Sequence, residues 1–396
     1  MSLIIILSLI IVPFLLGGGV DIIRVPKEIG SIIALVLISL TGMNYNLRPL
    51  KNKWLYMLVL WAFLNTFVFN NFSIFRELPN VIFAYKELLY IFVSVSTIFF
   101  IASYIPTNNK IKFLNIEITD TDINIELVSK IISWCVVIQC TYGLIQMIGL
   151  DQYFIVGDMS TGWKAQLPLL GRPDEIGSLT HRIVGTLGNP SILACWVAMC
   201  FPFCFKNKIA LSLSIITLIA TACSTAIISA FCGSVYYVWH KSQRLAVLIV
   251  ILAVLIGAFI PKSYLNMTGR IEVHKEAFKL LATRPLTGLG LGNFEYLVGR
   301  SPEIVKRLNN QSWRELHDEY GQIWFSLGFG GLVLAILFAI SLLRIRCDMI
   351  LMASFVSFLA ASLTYFPIRV APQSFYIVII IGLMMRFIWN SVPRAT

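Results

Sequence analysis

Charged side chains are scarce in this sequence, and that scarcity limits the kind of protein it encodes. Asp, Glu, Lys and Arg make up 13% of the 396 residues, whereas 58% of the residues are hydrophobic. The mean hydropathy is +0.81. A soluble domain of this length could not bury so much apolar surface. The composition therefore excludes an ordinary soluble protein and predicts a membrane protein.

Motifs of several enzyme classes are missing as well. The sequence has no G-x-S-x-G nucleophile elbow, no P-loop and no G-x-G-x-x-G before a predicted helix. The eight cysteines form no C-x-x-C, so neither a disulfide framework nor a cysteine metal site is expected. No basic stripe interleaved with aromatic residues occurs in a polar segment. Nucleic acid is therefore not expected as a partner.

Candidate metal ligands are few and badly placed. The single D-x-D, at residues 120–122, falls in a loop predicted to be cytoplasmic. His181, His240 and His274 show no ligand spacing. We therefore expect neither a metal ion nor another cofactor.

Long apolar runs dominate the chain. Runs of roughly 17–25 mostly uncharged residues predict transmembrane helices. We predict an all-α polytopic membrane protein, a single membrane domain over 1–396, with about twelve such helices, at 2–16, 29–43, 53–70, 87–105, 128–149, 189–206, 208–222, 224–239, 244–261, 320–343, 348–366 and 374–391. The stretch 208–239 could instead be one long kinked helix. The first run lacks a basic n-region and an A-x-A site, which favours an anchor over a signal peptide.

Positive charge is distributed unequally between alternate short loops, within a net charge of +11. One set of loops carries eleven basic residues, which are Arg48, Lys51, Lys53, Lys110, Lys112, Lys206, Lys208, Lys241, Arg244, Arg344 and Arg346. The opposite set carries five, which are Arg24, Lys27, Arg76, Lys86 and Arg369. The positive-inside rule then predicts that the first set and both termini are cytoplasmic.

Two predicted external loops, 150–188 and 262–319, are too long to be simple connectors. The second lies between predicted helices nine and ten and is expected to be partly helical. An apolar stripe at Val273, Ala277, Leu280 and Leu281 predicts a helix over 270–283, with Arg270 and His274 on another face. Glycines at 288, 290 and 292 follow and predict a flexible turn region.

His317 is the most informative residue of this loop. Ser312 and Glu315 read as a capping box, which would place His317 in the second turn of the next helix. Gly328 and Gly331 follow eleven and fourteen residues later, about 20° past three turns and about 40° short of four. All three would share one face, with a smooth groove running below the histidine into lipid. The alternative is a helix cap above a small-residue packing face.

Three arginines are candidate ligands for an anionic group. Arg182 precedes a predicted helix start, and Arg270 and Arg284 flank the helix predicted over 270–283. The planar guanidinium fork suits a diphosphate, since it binds bidentately and keeps its charge. Isolated arginines near helix ends also snorkel to lipid headgroups, which is the alternative.

Three stretches carry a resemblance to a known family. Residues 182–194 match R-x-x-G-x-x-x-N-P-N-x-x-A except for Ser191, and 270–294 combine an Arg-led helix with P-x-x-G-x-G-x-G-x-F. His317, Gly328 and Gly331 are similar to a motif of His, then Asn, Ser or Gln, nine residues, Gly, two residues, and Gly, Thr or Tyr. In these stretches the chain resembles the O-antigen ligases and the related Wzy-type O-antigen polymerases, which are bacterial polytopic membrane glycosyltransferases.

The resemblance implies a function and an orientation. The donor would be a glycan on undecaprenyl diphosphate, and transfer would occur on the periplasmic face of the inner membrane. His317 would act on the acceptor hydroxyl, and Arg182, Arg270 and Arg284 would bind the diphosphate. The acceptor would be lipid A-core or another surface glycan, and membrane lipid would surround the chain. Two further departures are Asp318, where the family has Asn, Ser or Gln, and Ser224-Thr225, where it often has Ser-Arg.

Other functions stay open from the sequence. A Wzy-type polymerase would join repeat units instead of ligating a finished chain. A lipid-linked glycan transporter or flippase would also have about twelve helices, although such folds tend to show repeated halves and intramembrane charge. A non-catalytic scaffold would tolerate changes at His317.

Overall fold

The structure is a computed structural model, and it is built almost entirely of helices. It describes residues 2–14, 24–43, 52–66, 78–103, 110–113, 116–119, 125–147, 183–187, 189–221, 223–258, 268–299, 301–307, 313 and 315–390. Arg182, most of the loop 150–188 and the pair Ser312 and Arg314 lie outside these residues.

Fourteen α-helices lie within the residues that the structure describes. They are α1 (Ser2–Ile11), α2 (Arg24–Met43), α3 (Lys53–Leu64), α4 (Leu78–Ser103), α5 (Ile125–Met147), α6 (Pro190–Cys200), α7 (Lys208–Ala220), α8 (Ser224–Lys241), α9 (Gln243–Ala258), α10 (Thr268–Leu281), α11 (Pro302–Arg307), α12 (Glu319–Leu343), α13 (Met349–Ala361) and α14 (Ala371–Asn390). Single helical turns lie at Val12–Phe14, Gly185–Leu187, Phe201–Cys204, Glu295–Gly299 and Pro367–Arg369. Strands β1 (Lys110–Phe113) and β2 (Ile116–Thr119) form a small antiparallel hairpin.

Each predicted apolar run coincides with a helix, so the helical fold class is confirmed, apart from the small hairpin. The stretch 208–239 forms two helices, because α7 ends at Ala220 and α8 begins at Ser224. Among the described residues, three helices are long and apolar enough to cross a membrane, at Lys86–Ser103, Ile125–Gln146 and Glu319–Leu343. Seven further apolar helices are shorter.

The outer surface of the helices is apolar, which supports association with a membrane. On α2, the side chains of Ile29, Ile33, Leu37 and Leu40 are each about half exposed and follow one helical stripe. Similar exposed apolar residues line α3, α4, α7 and α9. A monomeric soluble protein rarely exposes apolar patches of this extent. Hydrocarbon chains of lipid would cover them without cost.

Among the described residues, the helices pack around two main cores, and a third, small cluster joins Ala62 of α3 to Leu291 and Leu327. The larger one contains buried residues of α5, α6, α13 and α14, with α13 packed along α8 and α14 along α4. The smaller core joins α10 to the start of α12. It contains Val273 and Ala277 of α10, Phe325 of α12, and Leu316, which precedes α12. The apolar stripe predicted on α10 is therefore confirmed.

The start of α12 differs from the prediction. Asp318 is the N-cap, and its carboxylate accepts hydrogen bonds from the backbone N–H groups of Tyr320 and Gly321 at 3.1 and 3.2 Å. The capping box expected at Ser312 and Glu315 is thus wrong, because Asp318 caps the helix itself. His317 lies just before the helix, with a positive φ of 63°. It therefore shares no helical face with the glycines.

A break interrupts α12 at Gly328, which has φ 70° and ψ −176°. Residues 284–290, called here the crossing segment, lie against this break. Phe325 and Ser326 accept from the N–H groups of Leu289 and Gly290 at 2.7 and 3.0 Å, and Phe329 N–H donates to Pro285 at 2.9 Å. Backbone groups freed by the break are therefore bonded within the protein, as a segment at membrane depth requires.

The prediction of an open groove below His317 is wrong at Gly328. A Cβ atom there would overlap the carbonyl oxygen of Leu286, which covers the glycine. Gly331 is buried too, and a Cβ there would overlap the side chain of Leu327. Both glycines allow close packing instead of lining an open groove. Gly288 and Gly290, predicted to be flexible, have left-handed φ angles and are bonded within the crossing segment and to α12.

We expect Gly328→Ala to lower the free energy of unfolding by about 2–4 kcal/mol, since the added methyl group meets backbone and the φ angle is left-handed. The midpoint of thermal unfolding in detergent measures the effect. Gly143→Ala is the matched control, because its methyl group would meet only the flexible end of Ile183 at 3.3 Å. Equal midpoints for both variants would contradict this account of the break.

Candidate functional site

A cavity of about 640 Å³ opens between α10 and the residues that precede α12. Five ionisable side chains line it besides His317, and they are Arg270, His274, Lys275, Lys279 and Asp318. Its remaining lining is largely apolar and comes from Ile271, Phe278, Leu363 and Thr364. Ile271 and Leu363 are also exposed on the outer surface, at 49% and 61%. The cavity therefore combines positive charge with an apolar side.

His317 is fixed in one orientation at the wall of this cavity. Its Nδ1–H donates to the carbonyl of Glu315 at 2.9 Å, which leaves Nε2 without a proton in the neutral ring. The rings of Trp313 and Phe366 pack against the imidazole, with centroids 4.4 and 4.7 Å away. The left-handed φ of His317 aims the ring between them.

The surroundings of His317 keep the imidazole neutral. Burial lowers its pKa to about 4, against the opposing effect of the Glu315 carbonyl, and the charges of Arg270 and His274 lower it further. A neutral imidazole with a free Nε2 can accept a proton at neutral pH. His317 therefore has the orientation and the protonation state of a general base.

Arg270 and His274 lie one helical turn apart on the cavity side of α10, as predicted. The Nη1 of Arg270 donates to the carbonyl of Thr364 at 3.1 Å, which anchors the guanidinium at the cavity. The hydroxyl of Thr364 pairs with that of Thr225 at 2.7 Å. Thr225, the second residue of the Ser224-Thr225 pair, therefore lies next to the site. Its side chain here supports Thr364 by a neutral hydrogen bond.

A buried ionic cluster lies behind His317. Arg369 contacts the carboxylates of Glu87 at 2.5 Å, Glu315 at 3.4 Å and Glu319 at 3.7 Å. Burial opposes the charge of Arg369, but the three carboxylates outweigh burial and raise its pKa. Because Glu315 also holds Nδ1–H of His317 through its carbonyl, the cluster supports the backbone that orients the imidazole.

The predicted site residues are only partly brought together. His317 and Arg270 line the same cavity, whereas Gly328 and Gly331 are not among its lining residues. Arg284 is half-buried in the crossing segment and is not among the residues lining the cavity. Arg182 lies outside the described residues. Of the two predicted arginines that the structure describes, Arg270 lines the cavity and Arg284 does not, and diphosphate binding by any of the three stays a prediction.

The residues after Arg182 have clear structural roles. Gln139 and Gln146 of α5 hold the turn Gly185–Leu187 by hydrogen bonds to its backbone and to the hydroxyl of Thr186. Asn189 caps α6 through the N–H groups of Ser191 and Ile192. The N-P pair of the motif is thus a helix start, with the asparagine as cap and proline in the first turn.

Sequence reasoning missed four members of the site. Lys275 and Lys279 were not noticed because helical spacing alone does not say which face of an isolated helix meets a cavity. His274 was placed on the face of Arg270 but was given no role. Asp318 was noted only as a departure from a motif, although its spacing from Tyr320 and Gly321 signalled a cap.

No family model matches the chain, and no curated protein matches it in sequence. Among the described residues, no group of three or more His, Cys, Asp or Glu side chains is arranged to hold a metal ion.

Proposed function

We propose that the chain is a membrane glycosyltransferase of the O-antigen ligase type, which transfers a glycan from undecaprenyl diphosphate to an acceptor hydroxyl. One observation carries the proposal. A neutral histidine with a free Nε2 and an arginine guanidinium line one cavity that is apolar on its outer side. The two parts of a lipid-linked donor, a charged head and a long apolar tail, match that lining.

The reaction needs a proton acceptor and a place for negative charge. The acceptor oxygen attacks the anomeric carbon while the bond from that carbon to the diphosphate oxygen breaks. His317 Nε2 takes the proton of the acceptor hydroxyl, and the departing diphosphate keeps the bonding electron pair. Positioned base catalysis of this kind contributes roughly 10²–10⁴-fold.

Side-chain cations stabilise the leaving diphosphate in this proposal. Arg270 is held at the cavity by Thr364, and Lys275 and Lys279 add charge from the same helix. Fixed donors aimed at developing charge lower a barrier by several kcal/mol. Because these side chains supply the positive charge, the proposed reaction requires no metal ion. Arg182 and Arg284 stay as proposed donor ligands without a position in this cavity.

The proposed setting is the inner membrane of a bacterium, with both termini in the cytoplasm and the cavity on the periplasmic side. The excess of basic residues in one set of loops supports that orientation. Lipid A-core and another surface glycan are the proposed acceptors. A polymerase that joins repeat units would use the same chemistry and differ in its product.

The break in α12 favours a second candidate, a transporter of lipid-linked glycans, because transport sites are often built at interrupted membrane helices. Here, however, the crossing segment bonds the backbone around the break. Because these backbone groups already make hydrogen bonds within the protein, fewer of them remain to bind a transported ligand. We therefore prefer the transferase.

Transfer from an undecaprenyl-diphosphate-linked glycan, assayed in membranes and resolved on a gel, tests the proposal. We expect Arg270→Gln to reduce transfer about 10²–10³-fold, because it removes a donor to the leaving diphosphate. Arg346→Gln, an exposed arginine just beyond the far end of α12, is the control and should transfer normally. EDTA should leave transfer intact.

Three outcomes would count against the proposal. Loss of transfer in EDTA with recovery in Mg²⁺ would overturn the metal-independent mechanism. Full transfer by Arg270→Gln would remove the assigned role of α10. Movement of the lipid-linked glycan across the membrane without a transferred product would favour the transporter. A single attached chain or a ladder of repeats would separate ligase from polymerase.

A further inference from the structure

Each ring nitrogen of His274, on α10, lies near an oxygen atom. Its Nδ1–H donates to the carbonyl of Arg270 at 2.7 Å. Its Nε2 lies 3.9 Å from Oδ2 of Asp318, within ion-pair distance. Only a doubly protonated ring presents an N–H to both oxygens, because neutral imidazole carries one proton. His274 therefore has an oxygen atom within reach of each ring nitrogen.

The ring of His317 in the same cavity has different neighbours. The ring of His317 meets a carbonyl at Nδ1 and is otherwise packed between Trp313 and Phe366. No carboxylate contact with this ring is present among the described residues. The two histidines therefore differ in the groups that face their ring nitrogens, since only His274 lies near a carboxylate.

The charges around His274 set what its protonation does. Arg270, Lys275 and Lys279 of α10 also line the cavity and are cationic, whereas the ring of His317 is neutral and Leu363 and Thr364, from the connection after α13, are uncharged. The carboxylate of Asp318 opposes these cations. When His274 is neutral, Asp318 repels an anion in the cavity. When His274 is protonated, the pair is neutral and the repulsion ends.

We propose that His274 and Asp318 form a proton-controlled switch for diphosphate binding, which makes the cavity more cationic when His274 is protonated. This inference rests on the proposed function, since it assigns the lipid-linked diphosphate to this cavity. His317 then stays available for the acceptor, while His274 serves the leaving group.

Binding of farnesyl diphosphate to the purified full-length protein in detergent, followed by calorimetry at pH 5.5 and pH 8, tests the switch. Farnesol reports binding of the tail alone. Because the ligand itself gains protons at pH 5.5, the quantity to compare is the affinity of wild type relative to His274→Gln. We expect this ratio to rise on the order of tenfold between pH 8 and pH 5.5.

Asp318→Asn gives an effect of the opposite sign, which a purely structural role would not produce. Asparagine still caps α12, so the helix start is kept. Loss of the carboxylate should tighten binding several-fold at pH 8 and reduce the pH dependence. His240→Gln is the matched control. His240 makes the same Nδ1 contact to a carbonyl four residues back, at 3.0 Å, and its side chain is exposed at the end of α8.

The results separate this inference from the function on which it rests. If wild type binds farnesyl diphosphate more tightly than farnesol and Arg270→Gln loses that preference, the cavity is a diphosphate site. A wild-type to His274→Gln ratio independent of pH would then overturn the switch alone. If wild type shows no preference for the diphosphate over farnesol, the proposed function and the switch are both wrong.

Discussion

Replacing His317 by asparagine is expected to reduce glycan transfer about 10²–10⁴-fold, while the protein folds normally. An amide cannot accept the proton of the acceptor hydroxyl. Asparagine tolerates the left-handed conformation that His317 adopts, with φ 63°, better than other residues with a Cβ. The variant therefore removes the base and keeps the backbone. Transfer is measured at matched membrane expression, with accumulation of the lipid-linked donor as a second readout.

The pH dependence of transfer provides a further check on His317. With its pKa lowered to about 4 by burial, His317 gains a proton only as the pH falls towards 4. We therefore expect the base to stay active at pH 5.5 and to be lost as the pH falls through about 4. His317→Ala should lose transfer as asparagine does, and His240→Asn should keep it. If His317→Asn transferred glycan as fully as wild type, a transporter or a scaffold would be the better interpretation.

Replacing Arg369 by methionine is expected to cost about 3–5 kcal/mol of folding free energy, because it leaves Glu87, Glu315 and Glu319 together without their shared cation. Glu319 is only 3% exposed, so water cannot take the place of the guanidinium. The change should lower the thermal unfolding midpoint in detergent strongly. Transfer should fall too, since Glu315 orients His317 through its carbonyl.

A lysine at 369 separates charge from geometry. Arg369→Lys keeps the positive charge but cannot reach three carboxylates with a planar fork, so its midpoint should lie between wild type and Arg369→Met. Arg346→Met is the matched control at an exposed arginine and should unfold as wild type does. If Arg369→Met were as stable as that control, the cluster would have no structural importance.

The sequence was a good guide to elements whose pattern is local. Long apolar runs can satisfy their backbone in lipid by forming helices, and the twelve predicted runs coincide with α1 to α9 and α12 to α14. The stripe Val273, Ala277 and Leu281 is buried as its period predicted. Whether twelve of these helices cross a membrane stays a prediction.

The sequence was a poor guide where neighbours compete or distant segments meet. Two caps were available before α12, and the strong acceptor Asp318 displaced the box at Ser312 and Glu315. The break at Gly328 depends on hydrogen bonds to residues about forty positions earlier, which no helical period encodes. The expected shared face of His317 and the glycines failed for these two reasons.

By itself, therefore, the sequence determined the helical class, the apolar surface that supports a membrane setting, and the choice of His317 and Arg270 as candidates. Composition and periodicity are properties of neighbouring residues, and the chain carries them before it folds. Only the tertiary structure decided that His274 and Asp318 join these two residues, that Arg284 does not, and that Arg369 gathers three carboxylates behind the histidine. Those relations depend on distances between separate helices, and such distances exist only after packing.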